Sequence, residues 1–393
     1  MNKSKMHIGV WVLAIAAFAI GIAEFIVVGI LPTIAHEFNI SIAQTGRLVG
    51  FYAFALAIGT PIVILSTANI SRKRLLLTLI ATFLIGNLIS ATAQSFSILL
   101  AGRIITAIAH GSFFAIGATY AARLAPEGHA GRAIALMFSG LTLAMVVGVP
   151  LGSLLGNLLS WRLPFYAVVL LALLSLLAMS VWIPKLNLEK TSTLSEQLQA
   201  IQSKPVLLMM SITILGFGAS FAAFTFITPI LINITGFSSS TANLLLIVFG
   251  VATLCGNTLG GSFSVQYGWG KTLKGIFVCL FFILIALFFF IENKITMTVL
   301  LFIWGMMAFG MSPALQSGMI ATSEKWTPKA VDFASALNIS GFNLGIALGE
   351  RLGSILVEQQ QMNFTPLVGC ALLILVQIPM IYLMKIKSDS QSI

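Results

Sequence analysis

Charge is scarce in this sequence: 21 Lys and Arg and 11 Asp and Glu among 393 residues make only 8% charged side chains. A folded surface in water carries roughly 25 to 35% of such residues, so a soluble globular domain is excluded. Cysteine is scarcer still. Cys255, Cys279 and Cys370 are odd in number, fall inside apolar runs and lack metal-ligand spacing, so neither a disulfide framework nor a zinc centre is expected. Walker A, G-x-G-x-x-G after a strand, H-E-x-x-H and a nucleophile constellation are all missing. The expectation is therefore no cofactor, no enzyme and no ATPase of the chain's own. The formal net charge of +10 does not point to nucleic acid, because the basic residues are dispersed in ones, twos and threes rather than gathered in a patch.

What the sequence does have is apolar length: 58% of its residues are hydrophobic and the mean hydropathy is +1.03. About 20 apolar residues cross the hydrocarbon core as a helix. Twelve such runs are read, at 8–31, 45–67, 74–93, 97–123, 133–157, 163–184, 205–232, 240–263, 271–291, 295–320, 330–357 and 364–385. The first follows Lys3 and Lys5 and carries Glu24, which reads as an uncleaved span rather than a signal peptide. The fold class is all-α integral membrane, with 12 transmembrane helices.

Cytoplasmic loops retain Lys and Arg. With both termini inside, 16 of the 21 basic residues fall in inner segments, among them Lys3, Lys5, Arg72, Lys73, Arg74, Arg132, Lys190, Lys271, Lys274 and Lys387. The other five, Arg47, Arg103, Arg162, Lys294 and Arg351, fall in outer loops or outer halves of spans. Both ends are expected in the cytoplasm.

The longest polar interruption, residues 185–204, contains Thr193-Leu-Ser-Glu196, a capping box that starts a short surface helix. It divides a duplicated chain. At one constant offset of 197, Gly21 aligns with Gly218, Pro32 with Pro229, Ser41 with Ser238, Gly59 with Gly256, and Gly148, Gly152 and Gly156 with Gly345, Gly349 and Gly353. The expected organisation is two six-helix bundles, 1–184 and 205–393, as parallel repeats joined by the linker 185–204. Such repeats bind a solute near the midplane and work by rocking. A duplicated chain encloses its own pathway, so a monomer is expected, with the bilayer, protons and a small solute as its partners.

Glu24 lies seven residues before Leu31, about 10 Å below the outer end of its run at 1.5 Å per residue. An acid there costs about 2.5 to 3.5 kcal/mol on insertion scales and marks either an ion or proton path or an ion pair with a neighbouring helix. His110 is mid-span, and Arg103 is two turns earlier on the same face. They either line a cavity, the histidine exchanging protons and the arginine orienting solute, or serve as an interhelical hydrogen bond and a snorkelling cation. Arg47, Glu350, Arg351 and Glu358, towards outer ends, read as gate or helix-end pairs. Tyr52, Phe113, Asn157, Asn257, Trp304, Gln316, Asn338 and Asn343 are candidate cavity lining. Gly140, Gly148, Pro150 and Gly152 crowd span 5, and Gly341, Gly345, Gly349 and Gly353 recur every four residues in span 11. Small residues at that spacing let helices approach closely, and the two spans are expected to pack at the seam between the halves, with a kink at Pro150.

Two six-helix halves, a basic loop of Arg72, Lys73 and Arg74 and a Gly148-Val-Pro-Leu-Gly152 helix together resemble the major facilitator superfamily. Gly140 with that run is similar to the span 5 motif of the twelve-span drug:proton antiporters, which implies export. Glu24-Phe25, Gly29-Ile-Leu-Pro32, His110-Gly-Ser-Phe-Phe114, Met137-Phe-Ser-Gly-Leu-Thr142 and Gly341-Phe-Asn-Leu-Gly345 resemble the arabinose-efflux-permease-like branch. That branch is similar to exporters of sugars, purine nucleosides and chloramphenicol. The chain departs from the family pattern where no Asp precedes Arg72 and where Thr106-Ala107 follows Arg103. The resemblance implies a proton-coupled exporter of the bacterial inner membrane, with Glu24 and His110 in coupling and the basic loop as a cytoplasmic gate. The rivals are an importer or facilitator and, in another class, a membrane sensor or scaffold.

Overall fold

The computed structural model describes residues 6–67, 70–126, 130–186 and 194–389. The expected positions Lys3, Lys5, Lys190 and Thr193, with the side chains of Arg132 and Lys387, lie outside the described residues.

The described residues form helices and no strands. In chain order these are α1 (Ile8–Phe38), α2 (Ile42–Ser66), α3 (Arg72–Ala91), α4 (Phe96–Leu124), α5 (Ala130–Leu143, continuing as Val149–Leu158) and α6 (Arg162–Trp182). A short α7 (Leu194–Gln202) precedes α8 (Lys204–Phe224), α9 (Ser239–Tyr267), α10 (Trp269–Phe290), α11 (Lys294–Trp326), α12 (Val331–Glu358) and α13 (Thr365–Leu375, continuing as Gln377–Asp389). Eleven helices among the described residues are long and apolar enough to cross a membrane. The remaining expected span is α12, whose 28 residues suffice in length but include Glu350 and Arg351. The chain is the all-α, twelve-span membrane fold that its hydropathy predicts.

The helix starts follow from local chemistry. Ser41 accepts from the Gln44 N–H at 3.1 Å while the Gln44 side chain accepts from the Ser41 N–H at 3.2 Å, a reciprocal box that opens α2. Ser238, its partner in the repeat, caps α9 by accepting from the Thr241 N–H at 3.2 Å. Ser95 and Asn293 do the same for α4 and α11.

Several helices outrun the apolar runs that announced them. Leu31 was the expected end of the first span, yet α1 passes through Pro32 to Phe38. Pro32 removes the N–H that would have bonded the Val28 carbonyl; at the next carbonyl, Gly29, Ser153 Oγ and Asn157 Nδ2 both donate, at 3.0 and 2.9 Å, and tie this stretch of α1 to α5. Asn157, read from sequence as cavity lining, is instead a strut between α5 and α1. The kink expected at Pro150 takes the form of a π turn, Ala144–Gly148, immediately before it.

The contacts group the chain into two units, Met1–Ile40 with Ile58–Glu189, and Ser41–Ala57 with Lys190–Ile393. In the first, α1 packs on α4, α5 and α6. In the second, α8 packs on α11, α12 and α13. The outward faces carry Leu170, Leu174 and Leu177 of α6, Phe282 and Phe289 of α10, and Ile374 and Ile381 of α13, all exposed. Such faces are unfavourable in water and suited to lipid.

Candidate functional site

With α1 running to Phe38, Glu24 stands 14 residues from its end, about 21 Å in rather than about 10 Å. His110 is equally central, 14 residues from either end of α4. The two helices bring these side chains together: His110 Nε2 lies 4.0 Å from Glu24 Oε2, and the side chains are 7% and 12% exposed. That separation exceeds a hydrogen bond. Phe114 backs the imidazole, with ring centroids 5.2 Å apart, and is followed by Phe138 of α5 at 5.1 Å and edge-on Phe113 at 5.9 Å.

Arg103 is fully buried. Its Nη1 donates to the carbonyl oxygen of Ala23 and its Nη2 to that of Glu24 at 3.2 Å. The guanidinium is thus held on the main chain of α1 at the residue that carries the carboxylate. The planar fork of donors suits two successive carbonyls.

The repeat makes this cluster one-sided. Phe221 stands in α8 where Glu24 stands in α1, at the offset of 197. In α11 the offset is 198, as the caps Ser95 and Asn293 show, so Arg103 and His110 correspond to Leu301 and Ala308. One half carries an acid, an imidazole and a guanidinium; the other has apolar groups in all three places.

In their stead the second unit has an aromatic cluster. Phe224 stacks on Phe249 at 4.4 Å, and Trp304 meets both edge-on at 6.1 and 5.9 Å. The Trp304 indole N–H donates to Ser220 Oγ at 3.4 Å. Phe342 packs on Phe217 at 4.5 Å. Beside it runs a polar chain across three helices: Thr213 Oγ1 donates to Asn338 Oδ1 at 2.6 Å, Asn338 Nδ2 to Gln316 Oε1 at 2.8 Å, and Gln316 Nε2 to Ser335 Oγ at 2.5 Å. Gln316 and Asn338 were expected from sequence. Thr213 and Ser335 were not, because one hydroxyl in an apolar helix carries no spacing signal.

Other candidates are dispersed. Trp304, Tyr52 and Phe113 are buried, and Asn257 is half-buried on α9. Asn343 is buried and donates to the Ile339 carbonyl at 3.0 Å. In the second unit Glu350 is buried, accepts from Ser354 Oγ at 2.6 Å and lies against Gly46 and Gly50, while Arg47 pairs with Glu358 at 3.6 Å. Of the basic loop, Lys73 donates to the Ser180 carbonyl at 2.9 Å near the end of α6, where the helix dipole favours a cation. Arg72 is half-buried and Arg74 exposed.

Each glycine row packs against a helix of its own unit. A Cβ at Gly140 would meet the Ala14 carbonyl, and at Gly148, Gly152 and Gly156 the side chains of Ile22, Ile26 and Ile30, all on α1. On α12 a Cβ at Gly341 would touch Met210 and Thr213. One at Gly345 or Gly349 would come within 2.5 Å of the Ile214 or Gly218 carbonyl, and one at Gly353 would meet the Ala222 carbonyl, all on α8.

The model of the Major Facilitator Superfamily matches residues 13–323. The chain is 37% identical to the uncharacterised MFS-type transporter YtbD of Bacillus subtilis, covering 94% of this chain and 93% of the relative. It is 33% identical to the inner membrane transport protein YdhP of Escherichia coli K12, covering 93% of each. A probable sugar efflux transporter of Helicobacter acinonychis is 32% identical over 92% of each chain. Among solved structures, a bacterial homologue of the human lysosomal transporter Spinster superposes with a TM-score of 0.73 over 98% of each chain, at 15% identity, which speaks to the fold. With the twelve-span fold, the repeat and these relatives in hand, the chain is a multi-pass membrane transporter of small solutes, not an enzyme, and belongs to the major facilitator superfamily.

Proposed function

We propose that this transporter exports a small solute, sugar-like, nucleoside-like or amphipathic, across the bacterial inner membrane in exchange for protons, by alternating access. The observation that carries the reading is the Glu24–His110 pair, 4.0 Å apart at mid-depth of two helices, in the half that alone keeps charge at these repeat positions. A buried carboxylate is stable only when protonated, paired or reached by water. Taking up a proton from one side and releasing it to the other therefore changes which conformation suits Glu24, and that bias drives solute out. Arg103 holds the main chain beneath the carboxylate. The aromatic cluster around Trp304 and the half-buried Gln316 give the second half apolar faces and amide donors for a ring-bearing or hydroxylated solute. The direction of transport is supported by the span 5 motif at Gly140 to Gly152 and by the sugar efflux name of the Helicobacter relative.

The test is internal pH in sealed proteoliposomes while pentoses, purine nucleosides and chloramphenicol-like aromatics are added in turn. Solute-dependent proton flux in the native protein, absent in Glu24→Gln, is the expected result. Radiolabelled solute that merely equilibrates, with no proton flux, overturns antiport and leaves a facilitator.

A further inference from the structure

Away from the charged pair, three helices of the second unit leave a crevice of about 440 Å³ between them. Its floor exists because glycine meets backbone: a Cβ on Gly256 would strike the Met306 carbonyl and one on Gly260 the Gly310 carbonyl, so α9 and α11 touch without side chains. Gly275 of α10 adds a third bare position, where a Cβ would meet nothing within 4 Å. Phe263, Met307 and Cys279 complete apolar walls. At one end, by the α9–α10 turn at Gly268, stand Tyr267 and Lys271.

Two features say what fits. From Lys271 to Cys279 is eight residues, about 12 Å along α10, close to the ~15 Å thickness of hydrocarbon in one leaflet. The cationic end is uncompensated: Lys271 and Lys274 are exposed, and neither belongs to the ion pairs found among the described residues. An apolar slot one leaflet deep with an ammonium group at its mouth is complementary to one acyl chain beneath a negative headgroup.

We propose that the crevice between α9, α10 and α11 is a binding site for an anionic phospholipid, its acyl chain lying over Gly260 and Gly275 and its phosphate held by Lys271, with Tyr267 at the rim and exposed Lys274, three residues on in α10, adding to the positive surface. Basic pockets between membrane helices select anionic headgroups by charge, while the slot supplies shape. The site is separate from the Glu24–His110 pair, which lies in the other unit.

The experiment is native mass spectrometry of the full chain in detergent, titrated with equal phosphatidylglycerol and phosphatidylethanolamine. The native protein should retain phosphatidylglycerol preferentially. Lys271→Gln with Lys274→Gln should lower that preference by about fivefold for each charge removed. Gly275→Leu should fill the slot and abolish retention of either lipid at an unchanged thermal midpoint, since the added side chain enters open space. Equal retention of the two lipids by the native protein overturns the proposal, as does unaltered phosphatidylglycerol retention in the double Gln variant. Because that double variant changes only exposed side chains, it decides the question even if the leucine variant fails to fold.

Discussion

Arg103 meets Glu24 through the main chain: its Nη2 donates to the Glu24 carbonyl oxygen at 3.2 Å, while Nη1 takes the Ala23 carbonyl. The α4 guanidinium therefore sets the position of α1 at the acid as well as its electrostatics. Arg103→Lys keeps the charge and loses the fork. We expect a loss of about 1 to 3 kcal/mol, the cost of charged hydrogen bonds left unmade in a buried place, read as a lower midpoint of thermal unfolding in detergent. A midpoint equal to that of the native protein would show that the fork contributes nothing to stability.

Glu24→Gln is a permanent mimic of the protonated acid. Exchange of labelled for unlabelled solute across a vesicle needs no net proton movement, so it should continue in this variant, while gradient-driven export falls to background. His110→Gln should slow export and leave exchange intact. Loss of exchange together with export in Glu24→Gln would instead make Glu24 part of the solute site.

Asn338→Ala would leave Thr213 and Gln316, both bonded to it, without their partner at once. Interhelical bonds in membranes average about 0.6 kcal/mol, so losing two should cost about 1 kcal/mol, since Thr213 keeps the Met209 carbonyl and Gln316 keeps Ser335. Thermal unfolding checks this, and Thr213→Val, which breaks only one of the links, should cost less.

Gly349→Val places a branched side chain against the Gly218 carbonyl, which is rigid backbone. Overpacking of this kind costs about 1 to 3 kcal/mol or more, and the variant should fail to accumulate in membranes. Gly275→Ala, with open space around its Cβ, is the control and should accumulate normally.

From the distribution of Lys and Arg, both termini are expected in the cytoplasm. A phosphatase reporter active only in the periplasm should be silent when fused after Ile393 and active when fused in the loop at Thr92 to Gln94. The reverse pattern would invert the orientation.

Hydropathy and charge were enough to read twelve spans, because a bilayer leaves a chain few ways to cross. The helix ends were harder. Proline usually ends a helix, yet α1 runs through Pro32, and the side chains that tie it to α5 just before that point, Ser153 and Asn157, are more than 100 residues away in sequence. Glu24 and His110 were visible because ionisable groups are rare in apolar runs, but that they face each other follows from how α1 and α4 pack, which no spacing encodes. The glycine rows were legible as packing surfaces but not as to neighbour, since a row of small residues shows that something approaches closely and does not identify it. Thr213 and Ser335 gave no signal at all; their place depends wholly on where Asn338 and Gln316 point.

Close contact along the glycine rows also bears on how this chain came to be built. Inserting one residue into α1 or α5 would turn everything beyond it by about 100° and swing side chains onto the facing helix where glycine now sits. Length within those helices is therefore locked, and the two copies still align there without a gap at 197. The register slips to 198 for α4 and α11, a slip that falls outside the locked rows, and is back at 197 by α5 and α12. The ancestry of the molecule stays readable along its glycine seams because a shift in length there would have been a packing failure, while the side chains at Glu24 and Phe221 were free to part ways.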